Sequence, residues 1–289
     1  MKIQLSYDIQ SYIMQNGNVA DKLRLISAGY DFPKENTNAA LKEIDSIQNR
    51  DGGLPFDFIR GNPSSVKLTA EILPLIFDIG TEYPDIIDGL VSFLISRQKK
   101  DGGFAEALNL DPHIEDKYGT TSGREWYPVG KSITWLTGKA LEALCLAKYS
   151  DEERLRRARD FLMYSQNEDG HWPDFPDQGE SDPLGTGNIL PSLRAVNVSS
   201  DHKVYRDGRA AVLQHLVMSL ENESPYDMVD LLSVGKPLDE KERDVISRGL
   251  ELIHSSQNED GGWAELGSKK SDPELSSILA FVIKKCSQY

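Results

Sequence analysis

The sequence predicts an all-α protein built from five to six helical hairpins closed into a ring. Three observations lead to this prediction: a seven-residue motif occurs four times, an amphipathic helix precedes each copy, and a second helix follows each copy after a loop. The copies have the pattern Q-x-x-D-G-(G/H)-(L/F/W) and occupy residues 48–54, 98–104, 166–172 and 257–263. Repetition at this spacing is typical of chains that stack one supersecondary unit several times.

The helix before each motif is predicted from its apolar spacing. Between Ile86 and Ile95, apolar residues recur every four positions in two adjacent rows, which places them on one helix face. The same spacing predicts helices at 40–47, 155–164 and 245–253. The Asp-Gly pair of the motif then ends the helix, because glycine readily takes the left-handed conformation found at helix C-termini.

A second helix is predicted after each motif, at 66–77, 133–147, 184–196 and 275–284. Three of these stretches begin alike, with Leu68-Thr-Ala, Leu136-Thr-Gly and Gly185-Thr-Gly. The longest gap between motifs predicts a further, degenerate repeat near 209–232, and residues 12–14 with 20–26 predict an atypical N-terminal hairpin. Successive spacings of 50, 68 and 91 residues are too uneven for an open solenoid, so we expect a closed ring forming a single domain over residues 1–289.

Composition and charge exclude several classes of protein. The chain has 46 acidic against 32 basic residues, a net charge of -14 and a pI near 4.8, which argues against binding to nucleic acid or to an anionic membrane surface. No stretch approaches the roughly 20 apolar residues of a membrane helix, so we expect no integral membrane segment. The N-terminal residues do not resemble a secretory leader, which predicts a cytoplasmic location. Two cysteines, Cys145 and Cys286, form neither a disulfide framework nor a metal cluster.

The motif resembles the QW repeat of squalene and oxidosqualene cyclases and related class II terpene cyclases. Their wider family, the α/α toroid, includes protein prenyltransferase β subunits, and the resemblance covers residues 9–287. It implies an all-α toroid in which inner helices form a barrel and outer helices surround it. It also implies that the motif glutamine caps a helix end and stacks on an aromatic ring of a neighbouring motif. Gln48, Gln98, Gln166, Gln257, Trp172 and Trp263 are then expected to hold the fold together rather than to catalyse.

The acid cluster of class II cyclases is missing. In those enzymes a D-x-D-D motif at the start of an inner helix supplies the proton donor, and neighbouring acids keep that donor protonated. The best register aligns Asp182-Pro-Leu-Gly-Thr-Gly187, where only Asp182 matches and Leu184 takes the donor's position. No adjacent Asp-Asp pair occurs, so the D-D-x-x-D cluster of class I enzymes is absent as well. The prenyltransferase zinc pattern is not found near either cysteine, and we expect neither a metal nor a cofactor.

Candidate site residues concentrate on two variable loops, 105–131 and 173–183, and on the helix start that follows the first of them. Fixed acids beside aromatic rings suit either stabilisation of a carbocation or stacking on a sugar. The candidate catalytic residues are His171, Asp174, Asp177 and Asp182. The candidate ligand-binding residues are Arg124, Trp126, Tyr127, Lys131, Trp135 and Trp172.

Structural roles compete with these assignments. His171, which stands where three motifs have glycine, is alternatively a surface residue, and Asp182 before Pro183 suits a helix N-cap. Arg124 is equally an ion-pair partner of Glu125, Asp174 or Asp177.

Two functional hypotheses from different classes remain at this stage. The first is a terpene-cyclase-like enzyme, a lyase or isomerase, that holds an isoprenoid in its barrel and uses Asp174, Asp177 or Asp182 in place of the missing acids. The second is a carbohydrate-active toroid enzyme with paired carboxylates, or a binding scaffold without catalysis. Both predict a small-molecule ligand, isoprenoid or sugar, in the barrel cavity. The sequence leaves the oligomeric state open.

Overall fold

The computed structural model describes residues 5–80 and 83–288. Contacts divide these residues into two compact units: one joins the chain up to Leu41 with the chain from Ala210 onward, and the other runs from Lys42 to Arg209. The single domain expected from the sequence therefore stays a prediction. Among the described helices, none combines the length and apolar composition that crossing a bilayer requires.

Helices dominate both units. In chain order the α-helices are α1 Ile9–Asn16, α2 Val19–Ser27, α3 Lys34–Ile47, α4 Val66–Ile79, α5 Pro84–Ser96, α6 Asp111–Tyr118, α7 Thr134–Leu146, α8 Glu152–Tyr164, α9 Pro183–Gly187, α10 Leu190–Ala195, α11 Lys203–Glu221, α12 Leu231–Val234, α13 Glu240–Ser255 and α14 Pro273–Cys286. Short 3₁₀ turns lie at Phe56–Phe58, Leu108–Leu110, Thr121–Gly123 and Tyr226–Asp230. Two antiparallel two-stranded ladders pair β1 Leu54–Pro55 with β2 Ser64–Ser65, and β3 Trp263–Ala264 with β4 Ser271–Asp272.

The predicted hairpins are confirmed with two differences. A helix precedes each motif (α3, α5, α8 and α13), and α4, α7 and α14 follow three of them as expected. The helix predicted at 184–196 is broken into α9 and α10, because Pro191 has no N–H and its ring clashes with the carbonyl four residues earlier. The loop 105–131 contains α6, which begins at a proline-containing first turn and ends at Gly119 with φ of 90°.

Within the unit from Lys42 to Arg209, α7 packs between α4 and α10, while α5 lies against α4 and α8 against α7. In the other unit, α14 packs against both α1 and α2. The side chains between these helices are mainly Leu, Ile, Val and Ala and are almost fully buried. Each motif sits just after a helix and before the loop that leads to the next packed helix.

The motif glutamine caps a neighbouring segment of chain. Its Nε2 donates to the carbonyl of the motif's first glycine at 2.8–3.1 Å, and to a second carbonyl at 2.9–3.1 Å. The second carbonyl belongs to Ile86 in α5, Arg154 in α8, Val204 in α11 and Tyr7 just before α1. The capping role implied by the resemblance is thus present in all four copies, while the ring stacking stays a prediction.

The first glycine of the motif is required by close backbone packing. Gly52 and Gly102 have φ of +85° and +96°, in the left-handed region. A Cβ on Gly102 would lie 2.3 Å from the carbonyl oxygen of Arg157 in α8, and one on Gly52 would lie 2.3 Å from that of Gly89 in α5. Any larger residue at this position would push the neighbouring helix away.

A hydroxyl group on the helix after each motif accepts a hydrogen bond from the backbone of the motif's last residue. The backbone N–H groups of Leu54, Phe104, Trp172 and Trp263 donate to the hydroxyls of Thr69, Thr137, Thr186 and Ser276 at 2.7–3.0 Å. The motif aspartate accepts from the backbone N–H two residues later and from a serine hydroxyl across the loop. The recurring Thr-Ala and Thr-Gly pairs in the sequence mark this contact, and the motif aspartates are structural.

We expect Gln98→Leu to lower the free energy of unfolding by about 1 to 3 kcal/mol, because the carbonyls of Gly102 and Arg154 lose their donor inside the protein. The measurement is urea unfolding followed by circular dichroism. Lys100→Leu, at an exposed position of the same motif, is the control and should change stability by less than about 0.5 kcal/mol. Equal stability of the parent and Gln98→Leu would contradict the fastening role.

Candidate active site

Asp182 caps the helix that follows the third motif. Its Oδ1 accepts from the N–H of Leu184 at 3.0 Å and its Oδ2 from that of Gly185 at 2.6 Å, so both oxygens bind the first turn of α9. The N-cap alternative considered for this residue is confirmed. Leu184, which aligns with the proton donor of class II cyclases, is exposed and has no carboxyl group.

Asp174 is held on the loop between Trp172 and α9 by its backbone. Its carbonyl accepts from the N–H of Thr134, the first residue of α7, at 2.8 Å, and its N–H donates to Gln178 Oε1 at 3.1 Å. The side chain is only 8% exposed, and its Oδ1 has no hydrogen-bond partner. A buried carboxyl oxygen without a donor favours the neutral, protonated form.

The carboxyl groups of Asp174 and Asp182 influence each other's pKa. Burial, the charge of Asp182 and the hydrogen bond to it raise the pKa of Asp174 to about 7. Burial also raises the pKa of Asp182, but the N–H groups of Gly185 and Leu184 oppose the shift. The shared proton therefore resides on Asp174, while Asp182 holds the negative charge. This pair can serve as a general acid near neutral pH.

His171 adds to the electrostatics of the pair. Its Nδ1 lies 3.2 Å from the hydroxyl of Thr186, and its charge when protonated lowers the pKa of Asp182. The residue is half-buried, and its assignment as a site residue stays a prediction. It replaces the glycine of the other motifs at the point where the chain approaches Asp182.

Another acid at the same repeat position has a different environment. Glu106 follows Phe104 by two residues, just as Asp174 follows Trp172. The Glu106 carboxylate is fully buried and accepts from the N–H groups of Val66 and Lys67 at the start of α4, at 2.7 and 3.0 Å. Asp174 is one methylene shorter and binds the start of α7 through its backbone carbonyl instead. Its carboxyl group is therefore not used in capping and remains available for chemistry.

Glu106 is nevertheless tied to the aromatic residues predicted for the site. Its Oε1 also accepts from the hydroxyls of Ser65 and Tyr127, at 2.9 and 2.8 Å. Burial raises the pKa of Glu106, and burial together with the charge of Glu106 raises the pKa of Tyr127 well above its usual value. Tyr127 is thus a fixed hydrogen-bond donor at neutral pH and positions the rings around it.

Four aromatic rings form a cluster beside Glu106. Trp126 stacks on Tyr127 with ring centroids 5.3 Å apart, and Trp135 lies edge-on to Tyr127 at 5.1 Å. Tyr118 contacts Trp126 at 5.2 Å, and the Trp135 indole N–H donates to the Trp126 carbonyl at 3.1 Å. Trp126 is 39% exposed, whereas Tyr127 and Trp135 are buried. The cluster therefore offers one ring face to a ligand, that of Trp126.

Arg124 serves the folding of the 105–131 loop. It is 1% exposed, and its guanidinium pairs with Asp111 Oδ1 at 2.5 Å and donates to the carbonyls of Gly119 and Tyr127. The prediction that Arg124 forms an ion pair is confirmed, but its partner is Asp111, and the predicted partners Glu125, Asp174 and Asp177 are wrong.

The remaining predicted residues are dispersed. Lys131 Nζ lies 3.2 Å from the ring centroid of Phe175, so its charge covers an aromatic face on the loop of Asp174. Asp177 is exposed with φ of 70° and is not part of the acid pair. Trp172 is fully buried, and its indole N–H donates to the Leu162 carbonyl at 2.7 Å, as Trp263 does to Ile253. The geometry of Trp172 is that of a packing residue and not of a ligand contact.

The sequence interpretation missed Glu106, Tyr118 and Gln178. Glu106 carried a usable signal, because aligning the repeats two residues beyond the motif places it in register with Asp174. Tyr118 and Gln178 lie in irregular or short elements whose contacts follow no period.

The fold is similar to that of solved terpene cyclases. The type II terpene cyclase MstE from Scytonema matches with a TM-score of 0.67 and 13% identity, over 93% of this chain and 87% of that one. A variant of that cyclase in complex with its substrate, geranylgeranyl dihydroxybenzoate, gives a TM-score of 0.69 at the same identity and coverage.

Two further structures extend the comparison. An ent-copalyl diphosphate synthase from Streptomyces platensis matches with a TM-score of 0.60 and 18% identity, over 92% of this chain and 49% of that one. A glycosidase in complex with glucose matches at 0.52 and 13% identity, over 92% and 85%. No family model and no curated protein matches the sequence. At these identities the likeness establishes the fold, and the all-α toroid class predicted from the repeats is confirmed.

Proposed function

We propose that this protein is an enzyme that cyclises an isoprenoid chain by protonating it, with Asp174 as the proton donor. The observation that carries the proposal is the burial of the Asp174 carboxyl group beside Asp182, which raises the pKa of Asp174 to about 7. Protonation of an alkene needs an acid that retains its proton and is shielded from water. Asp174, on the loop, provides the proton-donating carboxyl group that is missing at Leu184 in the helix.

The individual steps use groups already described. The Asp174 carboxyl transfers its proton to one carbon of an alkene, which forms a C–H bond and leaves a carbocation and a carboxylate. Asp182, held by the first turn of α9, fixes the direction of that carboxyl, and His171 balances the charge left on the pair. Aromatic faces such as that of Trp126 stabilise positive charge on a hydrocarbon. Loss of a proton from the cyclised cation completes the reaction.

The solved neighbours support this choice over a glycosidase. The terpene cyclases match the chain with higher TM-scores than the glycosidase does. Glycoside hydrolysis by paired carboxylates needs the two groups roughly 5 to 9.5 Å apart, so that a sugar or a water fits between them. Asp174 and Asp182 instead interact closely enough for each to shift the pKa of the other, which suits one acid and its modulator.

The test is incubation of the purified protein with a series of polyprenyl substrates in D₂O, followed by mass spectrometry. The series should include geranylgeranyl diphosphate, a geranylgeranylated dihydroxybenzoate and squalene. We expect a cyclic product that is isomeric with its substrate except for one deuteron taken from the solvent-exchanged acid. Release of diphosphate without deuterium, or cleavage of an aryl glucoside instead, would contradict the proposal.

A further inference from the structure

A second site of different chemistry lies around Arg97, beside the first two motifs. Two adjoining clefts of about 650 and about 480 Å³ share Arg97, Ala107 and Asn109 in their walls. The larger cleft is also lined by Arg50, and the smaller one by Lys99. Three cationic side chains thus line two neighbouring clefts in a chain whose net charge is -14.

Within the described residues, Arg97 has no partner that neutralises its charge. Its buried Nε–H donates to no acceptor there, and its guanidinium forms neither a hydrogen bond nor an ion pair. Arg50 and Lys99 likewise form no ion pair within residues 5–80 and 83–288. A buried donor without an acceptor lowers the stability of the fold, so an acceptor supplied by a ligand would be favoured there.

The repeat shows that the arginine is not needed by the fold. The residue before the motif glutamine is Ile47, Ser165 or Ser256 in the other three copies. The two serines donate to carbonyls of their own helices and so need no outside partner. Arg97 occupies the same position before the motif glutamine, but its side chain lines both clefts. The second repeat therefore differs from the other three at the residue that the two clefts share.

The acidic residues in the cleft walls already accept hydrogen bonds from other parts of the protein. Asp51 Oδ1 accepts from the N–H of Gly53 and from the hydroxyl of Ser64, at 3.1 and 2.7 Å. Glu106 is fully buried, and its carboxylate is occupied by the start of α4 and by Tyr127. Neither acid pairs with Arg97, so the positive charge of the site is available to a ligand.

We propose that these clefts bind a phosphate-type oxyanion, with Arg97 as its central ligand. A guanidinium presents a planar fork of donors that matches phosphate oxygens, and Arg50, Lys99 and the amide of Asn109 lie around the same space. Three cations exceed what one carboxylate neutralises, which favours phosphate or diphosphate over a simple carboxylic acid. The site uses none of the residues of the acid pair and stands independently of the proposed cyclase activity.

The test is calorimetric titration of the full chain with inorganic diphosphate, inorganic phosphate and acetate at constant ionic strength. We expect diphosphate to bind most tightly, and Arg97→Gln to weaken it about tenfold or more. Lys100→Gln removes the same charge from an exposed position outside the clefts and should leave the affinity within about twofold. Arg97→Lys, which keeps the charge but loses the fork, should fall between the two.

Three results would overturn the site. They are absence of diphosphate binding by the parent protein at millimolar concentration, equal weakening by Arg97→Gln and Lys100→Gln, and equal affinity for acetate and diphosphate. Arg50→Gln provides a second variant, whose exposed parent side chain forms no hydrogen bond or ion pair within the described residues. If Arg97→Gln fails to fold, unchanged diphosphate binding by Arg50→Gln and Arg97→Lys together would reject the assignment.

Discussion

Asp174→Asn is expected to lower kcat/KM for cyclisation by about 10³-fold, because the amide keeps the shape of the side chain and has no proton to give. The measurement is the rate of cyclic product formation with the substrate found in the D₂O experiment. Asp177→Asn is the matched control, since Asp177 lies on the same loop but is exposed and outside the pair. Its activity should stay within about twofold of the parent. Comparable losses in both variants would contradict the assignment of Asp174.

The pH dependence follows from the same group. The acid form of Asp174 is the active one, so activity should be high below pH 7 and fall as the pH rises through the pKa of about 7. Stability should fall between about pH 4 and pH 7, because in this range the folded protein holds a proton that the unfolded chain has released. Folding is favoured by this group at low pH, and that contribution is lost on the way to pH 7.

Asp174→Asn removes the titrating group and should therefore be more stable than the parent at pH 8. Partial solvent screening limits the gain to on the order of 1 to 2 kcal/mol. Urea unfolding at pH 5 and pH 8 measures it. A variant that is inactive yet more stable at pH 8 would identify Asp174 as a strained functional acid, whereas a loss of stability at both pH values would indicate a structural role.

The second large effect is on stability. Trp172→Ala should lower the free energy of unfolding by about 3 to 5 kcal/mol, since it opens a cavity where a fully buried indole packs. Trp172→Phe should cost less, about 1 to 3 kcal/mol, because it keeps most of the packing and leaves only the Leu162 carbonyl without its donor. Urea unfolding monitored by circular dichroism measures both.

Tyr164→Ala is the control for this series, because Tyr164 is 89% exposed at the end of α8. It should change stability by less than about 0.5 kcal/mol. If Trp172→Ala were as stable as Tyr164→Ala but failed to bind substrate, Trp172 would be a ligand contact after all, and the packing role would be wrong.

The repeats made most of the fold predictable. Each motif combines a helix stop with a fixed set of hydrogen bonds, so helix ends, register and the packing of the last aromatic follow from local sequence. The break between α9 and α10 was also visible in principle, since Pro191 stands inside the predicted helix. The helix α6 was missed because its eight residues carry little apolar periodicity.

The site was predictable only in part. The loop of Asp174 was identified, but the choice among Asp174, Asp177 and Asp182 needed burial and contacts that a sequence does not contain. The partner of Arg124 was wrong because Asp111 lies 13 residues upstream, across an irregular loop with no period to connect them. Non-local pairing of this kind depends on the final loop path.

The hydrogen bonds of Gln257 join the last motif to the segment just before α1. Gln257 exchanges two hydrogen bonds of 3.1 Å with the backbone of Tyr7, and a Cβ on Gly261 would lie 2.5 Å from the carbonyl oxygen of Asp8. The last motif therefore binds the segment that begins α1 in the same way that the first three motifs bind α5, α8 and α11. Cutting the chain in the exposed stretch 199–202 would leave every one of these motif contacts in place, because none of them uses these residues.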